Sequence, residues 1–477
     1  MTRPVLWQGA EVVRATGGRL TRDFAAAGVS IDSRSLQPGD LFVALKGENR
    51  DGQQFVRAAF DAGAAAAVVR VRPLDVDANR PLVLVGDPLR ALEDLGRAGR
   101  ARARARVVGV TGSVGKTGTK EMLARALGAL GTCHVSVGSF NNQFGVPLSL
   151  ARLDPETAFA VFEMGMNHPG EIAALTRMVR PEIALITTVE AVHLGQFEGT
   201  DQIAEAKAEI FLGVEPGGVA VLNRDNPFFR QLALRARQSG VKKILTFGTL
   251  ADADIRLLAY QPEPGANRVC AEGPGGQVDY RLAIDGRHWA LNSLGVLGVV
   301  VALGGDPARA AAALADMPAP KGRGARLRIA FGQGSIELID DSYNASPASM
   351  RAAFAVLAET RLPSPAGRRI AVLGDMLELG PSESALHAGL AGDLSRAGID
   401  LVFTVGSRMQ ALAAALPAAM RSGHFADAQT AVAPLIGALA AGDVVLVKGS
   451  AGSRMGRVVE GLRALDADLP KAANGER

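Results

Sequence analysis

The chain has 477 residues, 48% of them apolar and 21% charged, with a formal net charge of +4. That length exceeds one hydrophobic core and predicts about three domains, and so small a net charge over so long a chain does not mark a nucleic-acid binder. Two cysteines, Cys133 and Cys270, make neither a disulfide framework nor a metal-ligand spacing, which fits a reducing cytoplasm. The opening M-T-R-P-V-L-W-Q-G has no signal-peptide core, and the longest apolar run, 294–305, falls short of the ~18 residues a membrane span requires.

Residues 1–105 alternate strand-like and helical patterns and end in Arg97, Arg100, Arg102, Arg104 and Arg106, interleaved with alanines. Without aromatic residues for base stacking, this basic run reads as a solvated helix or linker. Short apolar runs at 107–110, 159–162, 183–188, 219–222 and 244–247 then read as buried strands of an open parallel sheet. A weaker, turn-rich patch spans 250–290, followed by an apolar helical segment and the hinge-like M-P-A-P-K-G-R-G at 317–324. Apolar runs at 336–339, 370–373, 401–405 and 444–447 predict a second doubly wound unit. The expected fold class is therefore α/β with three domains: a small α/β domain (1–105), a P-loop parallel-sheet domain (106–320) and a Rossmann-like domain (321–477).

The most specific signal is V-V-G-V-T-G-S-V-G-K-T at 107–117, a buried strand breaking into a glycine-rich loop with a helix behind it. Backbone N–H groups of Gly112, Ser113, Val114, Gly115 and Gly118 can close around phosphates at the positive end of that helix. Lys116 can reach the outer phosphates and the Thr117 hydroxyl can ligate Mg2+, so a nucleoside triphosphate is the expected ligand. Val110 stands where the general P-loop pattern has its first glycine, which narrows the class of P-loop enzyme.

Other polar groups close strands nearby. Glu163 ends F-A-V-F-E, and a carboxylate ending a buried strand needs a partner. His193 follows the next strand and, on its own, reads as a satisfied loop histidine; Asn223 and Asp225 follow the one after. Lys207, between Glu205 and Glu209, reads by itself as a surface lysine in a salt-bridged helix. In D-D-S-Y-N-A-S-P at 340–347, helix capping accounts for Ser346 and Pro347 but not for Asp341, Tyr343 and Asn344.

Taken in order, T-G-S-V-G-K-T, S-F-N-N-Q-F-G-V-P, F-E-M-G-M-N-H-P-G-E-I, His193 and A-K-A-E-I-F resemble the Mur ligase family of peptidoglycan synthesis. The segments D-D-S-Y-N-A-S-P, V-L-G-D-M-L-E-L-G and V-L-V-K-G-S resemble the member that adds D-alanyl-D-alanine to UDP-N-acetylmuramoyl-tripeptide. The resemblance runs from Asp32 to about Arg454 and implies an ATP-dependent amide ligase working through an acyl phosphate.

It further implies ATP, two Mg2+ ions and a carbamylated Lys207 as cofactors. Lys116 would hold the ATP phosphates, with Thr117, Glu163, His193 and the Lys207 carbamate as metal ligands. Asn141 and Asn142 would line the reacting acyl group, and Asn292, Asn223 and Asp225 the adenine side. Arg323 and Asp341 would close over the nucleotide, with Tyr343 and Asn344 on the substrate, while Ser33 and Arg34 would face the UDP-sugar. Gln53 stands where the family often has histidine, and Val114 and the loop Gly195-Gln196-Phe197 also depart from the family's habit. A cytoplasmic monomer with no nucleic-acid partner and no membrane span is expected. A sister Mur ligase or folylpolyglutamate-type synthetase, a P-loop kinase, and a non-catalytic ATP-gated or nucleic-acid-binding protein are the competing readings.

Overall fold

The computed structural model describes residues 3–47, 50–192, 194–263 and 265–467, and their strands form three main sheets. The first has five strands, in the order Arg19–Leu20, Leu82–Leu84, Ala66–Val69, Asp40–Val43, Gly28–Ser30; only its first pair is antiparallel.

The second has nine. Its parallel part runs Ile255–Gln261, Lys243–Gly248, Val219–Asn223, Ile183–Ile186, Arg106–Thr111, Phe159–Glu163, Cys133–Val135. These strands form because apolar residues cover both faces. Val108, Val110, Val161 and Leu185 pack on one side, and Val107, Phe162, Ala184 and Ile186 on the other. Helices Lys116–Gly128 and Arg287–Ala302 cover the first face.

The turn-rich patch is a difference from the sequence expectation. It holds three strands, Ile255–Gln261, Asn267–Gly273 and Gly276–Leu282, the last two joined antiparallel to extend the sheet. Val269 and Ala271 are buried while their neighbours are not, a period-2 pattern that the flanking glycines and prolines mask in one dimension.

The third sheet has six strands in the order Ala325–Phe331, Gly334–Asp341, Val444–Lys448, Arg369–Gly374, Leu401–Val405, Arg421–Phe425, with only the first pair antiparallel.

The arginine run also differs from its reading as a solvated stretch. Arg97 stays exposed beside Glu93 and Asp94 on the helix Pro88–Arg102. Arg100 instead donates to the Val179 carbonyl at 2.8 Å, and Arg106 to Glu182 at 2.9 Å. Arg102 lies 3.7 Å over the Trp7 ring, whose Nε1 donates to the Ala151 carbonyl at 2.8 Å. Arg100 and the Trp7–Ala151 bond tie the first domain to the central one, while Arg102 caps the Trp7 ring by a cation–π contact and Arg106 braces the central domain from within. Among the described residues no helix is long and apolar enough to cross a membrane.

Candidate active site

The strand Arg106–Thr111 lies between Phe159–Glu163 and Ile183–Ile186, so the chain crosses to opposite sides of it in succession. Its carboxyl end is a topological switch point, where an open α/β sheet leaves a crevice. The loop at that end turns at Gly115 (φ +86°) into the helix Lys116–Gly128. No side chain fits there: a Cβ on Gly115 would stand 2.8 Å from Asn292 Nδ2, and one on Gly118 2.6 Å from the Trp289 ring. Thr187 Oγ1 and Ser113 N pin the loop by donating to the Val114 and Thr188 carbonyls at 2.6 and 2.8 Å. Lys116 Nζ folds back to the Gly112 carbonyl at 2.7 Å. Its enclosure lowers its pKa, an effect the Glu163 charge opposes and Arg323 reinforces.

Above the loop opens a cleft of about 760 Å³, walled by the central sheet on one side and the strand ends of the third sheet on the other. Glu163 is 1% exposed; its Oε1 accepts from Asn141 Nδ2 at 2.7 Å, whereas Oε2 is buried with no hydrogen-bond partner among the described residues. Lys207, on the helix Thr200–Ala208, is 2% exposed and has no hydrogen-bond or ion-pair partner among the described residues. That placement differs from the surface reading. Burial drives its pKa well below the ordinary lysine value, and the Lys116 charge adds to this. Thr117 is buried, and its hydroxyl accepts from Arg323 Nη2 at 3.0 Å.

From the third sheet, Asp341 and Lys448 end neighbouring parallel strands in register, and Lys448 Nζ donates to Asp341 Oδ2 at 2.7 Å and to the Asn344 carbonyl at 2.9 Å. Burial raises the Asp341 pKa and Lys448 offsets it. The Tyr343 ring lies under Arg323, and its hydroxyl meets Ser139 Oγ of the central domain. His288 opens into the cleft, whose enclosure, helped by Lys448, lowers its pKa to about 4 and keeps it neutral. The domains also touch through Gly195 N, which donates to the Glu378 carbonyl at 3.3 Å.

The cleft thus brings together Ser113, Val114, Gly115, Lys116, Thr117, Gly118, Asn141, Glu163, Asn223, Asp225, Asn292, Arg323, Asp341, Tyr343 and Asn344. Asp225 is nevertheless engaged elsewhere, its carboxylate accepting from Thr249 N at 2.7 Å and Leu250 N at 3.1 Å. Asn142 does not line the cleft; its Oδ1 accepts from Phe144 N and Gly145 N at 3.1 and 3.0 Å and starts the helix Gly145–Ala151. Ser33 and Arg34 lie apart in the first domain, where Arg34 pairs with Asp32 at 2.6 Å. Gln53 is committed to the backbone, accepting from Arg70 N at 2.8 Å. His193 lies outside the described residues.

Sequence reasoning passed over Ser139, Glu190, His288, Trp289 and Lys448, all of which line the cleft. Ser139 and Lys448 carried a signal, the first as the opening residue of S-F-N-N-Q-F-G-V-P and the second as the polar residue ending a strand beside the one that ends at Asp341.

Three family models match the chain: the Mur ligase family catalytic domain at 26–99, the Mur ligase middle domain at 110–300, and the Mur ligase glutamate ligase domain at 325–451. The UDP-N-acetylmuramoyl-tripeptide–D-alanyl-D-alanine ligase of Escherichia coli (strain K12) is 38% identical, covering 92% of this chain and 94% of its own. The chain belongs to the Mur ligase family. The Bacillus subtilis (strain 168) ligase of the same name is 34% identical over 91% of this Mur ligase and 93% of its own length. Among solved structures, MurF from Acinetobacter baumannii matches with a TM-score of 0.84 at 31% identity, covering 96% of this chain and 99% of its own. MurF from Thermotoga maritima in complex with ADP matches at 0.76 and 27% identity, covering 92% and 98%. Folylpolyglutamate synthase from Mycobacterium tuberculosis, at 18% identity and a TM-score of 0.62, shares the fold alone.

Proposed function

We propose that this Mur ligase joins D-alanyl-D-alanine to UDP-N-acetylmuramoyl-tripeptide, consuming ATP and releasing ADP and phosphate. The observation that carries the reading is one cleft in which the P-loop, the Asn141–Glu163 pair and the strand ends of the third sheet meet. The relatives of this name, 34 and 38% identical over nearly the whole chain, support the same substrates.

The residues fit Mg2+. Glu163 Oε2 is a buried carboxylate oxygen without a hydrogen-bond partner among the described residues, and the Thr117 hydroxyl is beside the phosphate loop. Lys207 is buried without an anionic partner among the described residues, and burial favours the neutral amine that adds CO2, releasing one proton and leaving an anionic carbamate. Thr117, Glu163, the Lys207 carbamate and His193 would hold two Mg2+ ions, which neutralise charge on the phosphate oxygens of ATP.

A carboxylate oxygen of the tripeptide attacks the γ-phosphorus, the bond to the β-phosphate oxygen breaks, and ADP leaves with the electron pair. The dipeptide amine then attacks the acyl carbon, loses a proton and expels phosphate. Lys116 stabilises phosphate charge that grows in the first transition state, and Asn141 holds Glu163 in place. Arg323 and Tyr343 close the cleft so that water does not reach the acyl phosphate. Ser33 and Arg34 hold the UDP end from the first domain.

The test is phosphate release from ATP with the tripeptide and the dipeptide each added or omitted, and mass detection of UDP-muramoyl-pentapeptide. Phosphate and pentapeptide that both require D-alanyl-D-alanine support the reading; release indifferent to either substrate overturns it.

A further inference from the structure

We propose that Lys120 is a positioning residue that couples the nucleotide-binding helix to the loop on the acyl side of the cleft, resting on the assignment of that loop to the acyl group. Lys120 is 0% exposed. Its ammonium has three N–H donors and meets three acceptors: the Gly138 carbonyl at 2.6 Å, the Ser136 carbonyl at 2.7 Å and Glu121 Oε1 at 2.8 Å. An apolar side chain would fill this place without desolvating a charge, so the packing alone does not call for lysine.

The position of the tie gives it a role. Lys120 stands one turn after Lys116 on the helix that starts at the phosphate loop, so both face the same side. The backbone it grips is the root of the loop that carries Ser139 and Asn141. Ser139 meets Tyr343 across the domain boundary, and Asn141 holds Glu163 at 2.7 Å and accepts from Gly165 N at 2.8 Å. The root has little other support. The strand before it, Cys133–Val135, is three residues long at the sheet edge, and the following ladder bond, Ser136 N to Val161 O, is 3.3 Å. Gly138, at φ +55°, then turns the loop outward. A shift of the helix when phosphates bind is therefore passed through Lys120 to Ser139 and Asn141.

The test is Lys120→Met, which keeps the stem and removes the donors. In the parent, ADP slows hydrogen exchange at 136–142 by at least about threefold; in Lys120→Met that response is lost and basal exchange there rises about tenfold. The KM for UDP-muramoyl-tripeptide rises about tenfold, while the Kd for ADP, read from Trp289 fluorescence, stays within about twofold. A folded variant with the ADP response and the tripeptide KM intact overturns the proposal, because a purely structural lysine would lower the melting temperature alone. Lost exchange response with an unchanged tripeptide KM also overturns it; if Asn141→Ala is then fully active too, the assignment of the loop to the acyl group is what fails. Should Lys120→Met not fold, Gly138→Ala strains the same carbonyl from the loop side. A raised tripeptide KM in that variant supports the coupling, and an unchanged one overturns it.

Discussion

Arg323 joins the two halves of the cleft through two contacts at once. Its Nη2 donates to Thr117 Oγ1 at 3.0 Å, and its guanidinium carbon lies 4.3 Å from the centre of the Tyr343 ring. The first contact reaches the P-loop helix, the second the loop that ends the strand Gly334–Asp341. Arg323→Ala is expected to lower kcat/KM for ATP about 100-fold, near 2.7 kcal/mol of transition-state stabilisation. Arg323→Lys should recover less than half of that in free energy, since an ammonium lacks the planar fork that donates and stacks together. Steady-state kinetics with varied ATP checks both; an Arg323→Ala enzyme at parental kcat/KM would remove the residue from nucleotide handling.

Lys207→Ala is expected to abolish turnover without loss of fold, because the side chain makes no hydrogen bond or ion pair among the described residues. Removing a buried, unpartnered amine relieves a desolvation penalty, so the melting temperature should hold or rise. Short carboxylic acids added to the variant should restore part of the activity by supplying the missing anion. Full activity in Lys207→Ala, measured by phosphate release, would exclude the carbamate.

The hydroxyl contact between Ser139 and Tyr343 crosses 204 residues of sequence. Tyr343→Phe removes it while keeping the ring under Arg323, and Ser139→Ala removes it from the other side. Each should cost about 1 kcal/mol in kcat/KM for the tripeptide, and the double variant little more than either single one. Additive effects in that double-mutant cycle would show the two groups acting separately.

Legibility in the sequence followed distance along the chain. Lys116, Thr117 and the strand before them are one contiguous pattern, and Glu163 is marked by its place at the end of a buried run, so both could be read locally. The pairing of Asp341 with Lys448 spans 107 residues and depends on which strands neighbour each other in the third sheet, which no local pattern encodes. Lys207 illustrates the opposite failure. Its flanking Glu205 and Glu209 look like a solvated face, but they turn to Arg235 and to the N–H groups of Gly170 and Ala173 and leave the lysine facing inward. The strands between 255 and 282 were hidden because glycine and proline turns interrupt short, half-buried alternations.

The Asp341–Lys448 pair is a stability device as well as part of the cleft wall. Lys448 is 2% exposed, and Lys448→Met would leave the Asp341 carboxylate without its cation. The expected loss is about 3 kcal/mol in urea unfolding followed by circular dichroism. Adding Asp341→Asn to that variant should return part of it. An unchanged midpoint in Lys448→Met would mean that solvent already carries the Asp341 charge.

His134 should make the central domain sensitive to acid. Burial lowers its pKa to about 4, and its Nε2 has no hydrogen-bond partner among the described residues. The unfolded chain takes up this proton near pH 6.5, so the folded state loses stability as pH falls from about 6.5 to 4, and no further below that. His134→Gln should therefore narrow the difference in melting temperature between pH 7 and pH 4.5. An equal difference in parent and variant would place the acid sensitivity elsewhere.

Transfer of the γ-phosphoryl group to the substrate carboxylate leaves an isotopic trace in the released phosphate. UDP-muramoyl-tripeptide labelled with 18O in its terminal carboxylate is incubated with ATP, Mg2+ and D-alanyl-D-alanine, and the released phosphate is analysed by mass. Attack of that carboxylate on the γ-phosphorus predicts one labelled oxygen in each phosphate, matched to pentapeptide formed. Unlabelled phosphate alongside pentapeptide would contradict the mechanism derived from this cleft.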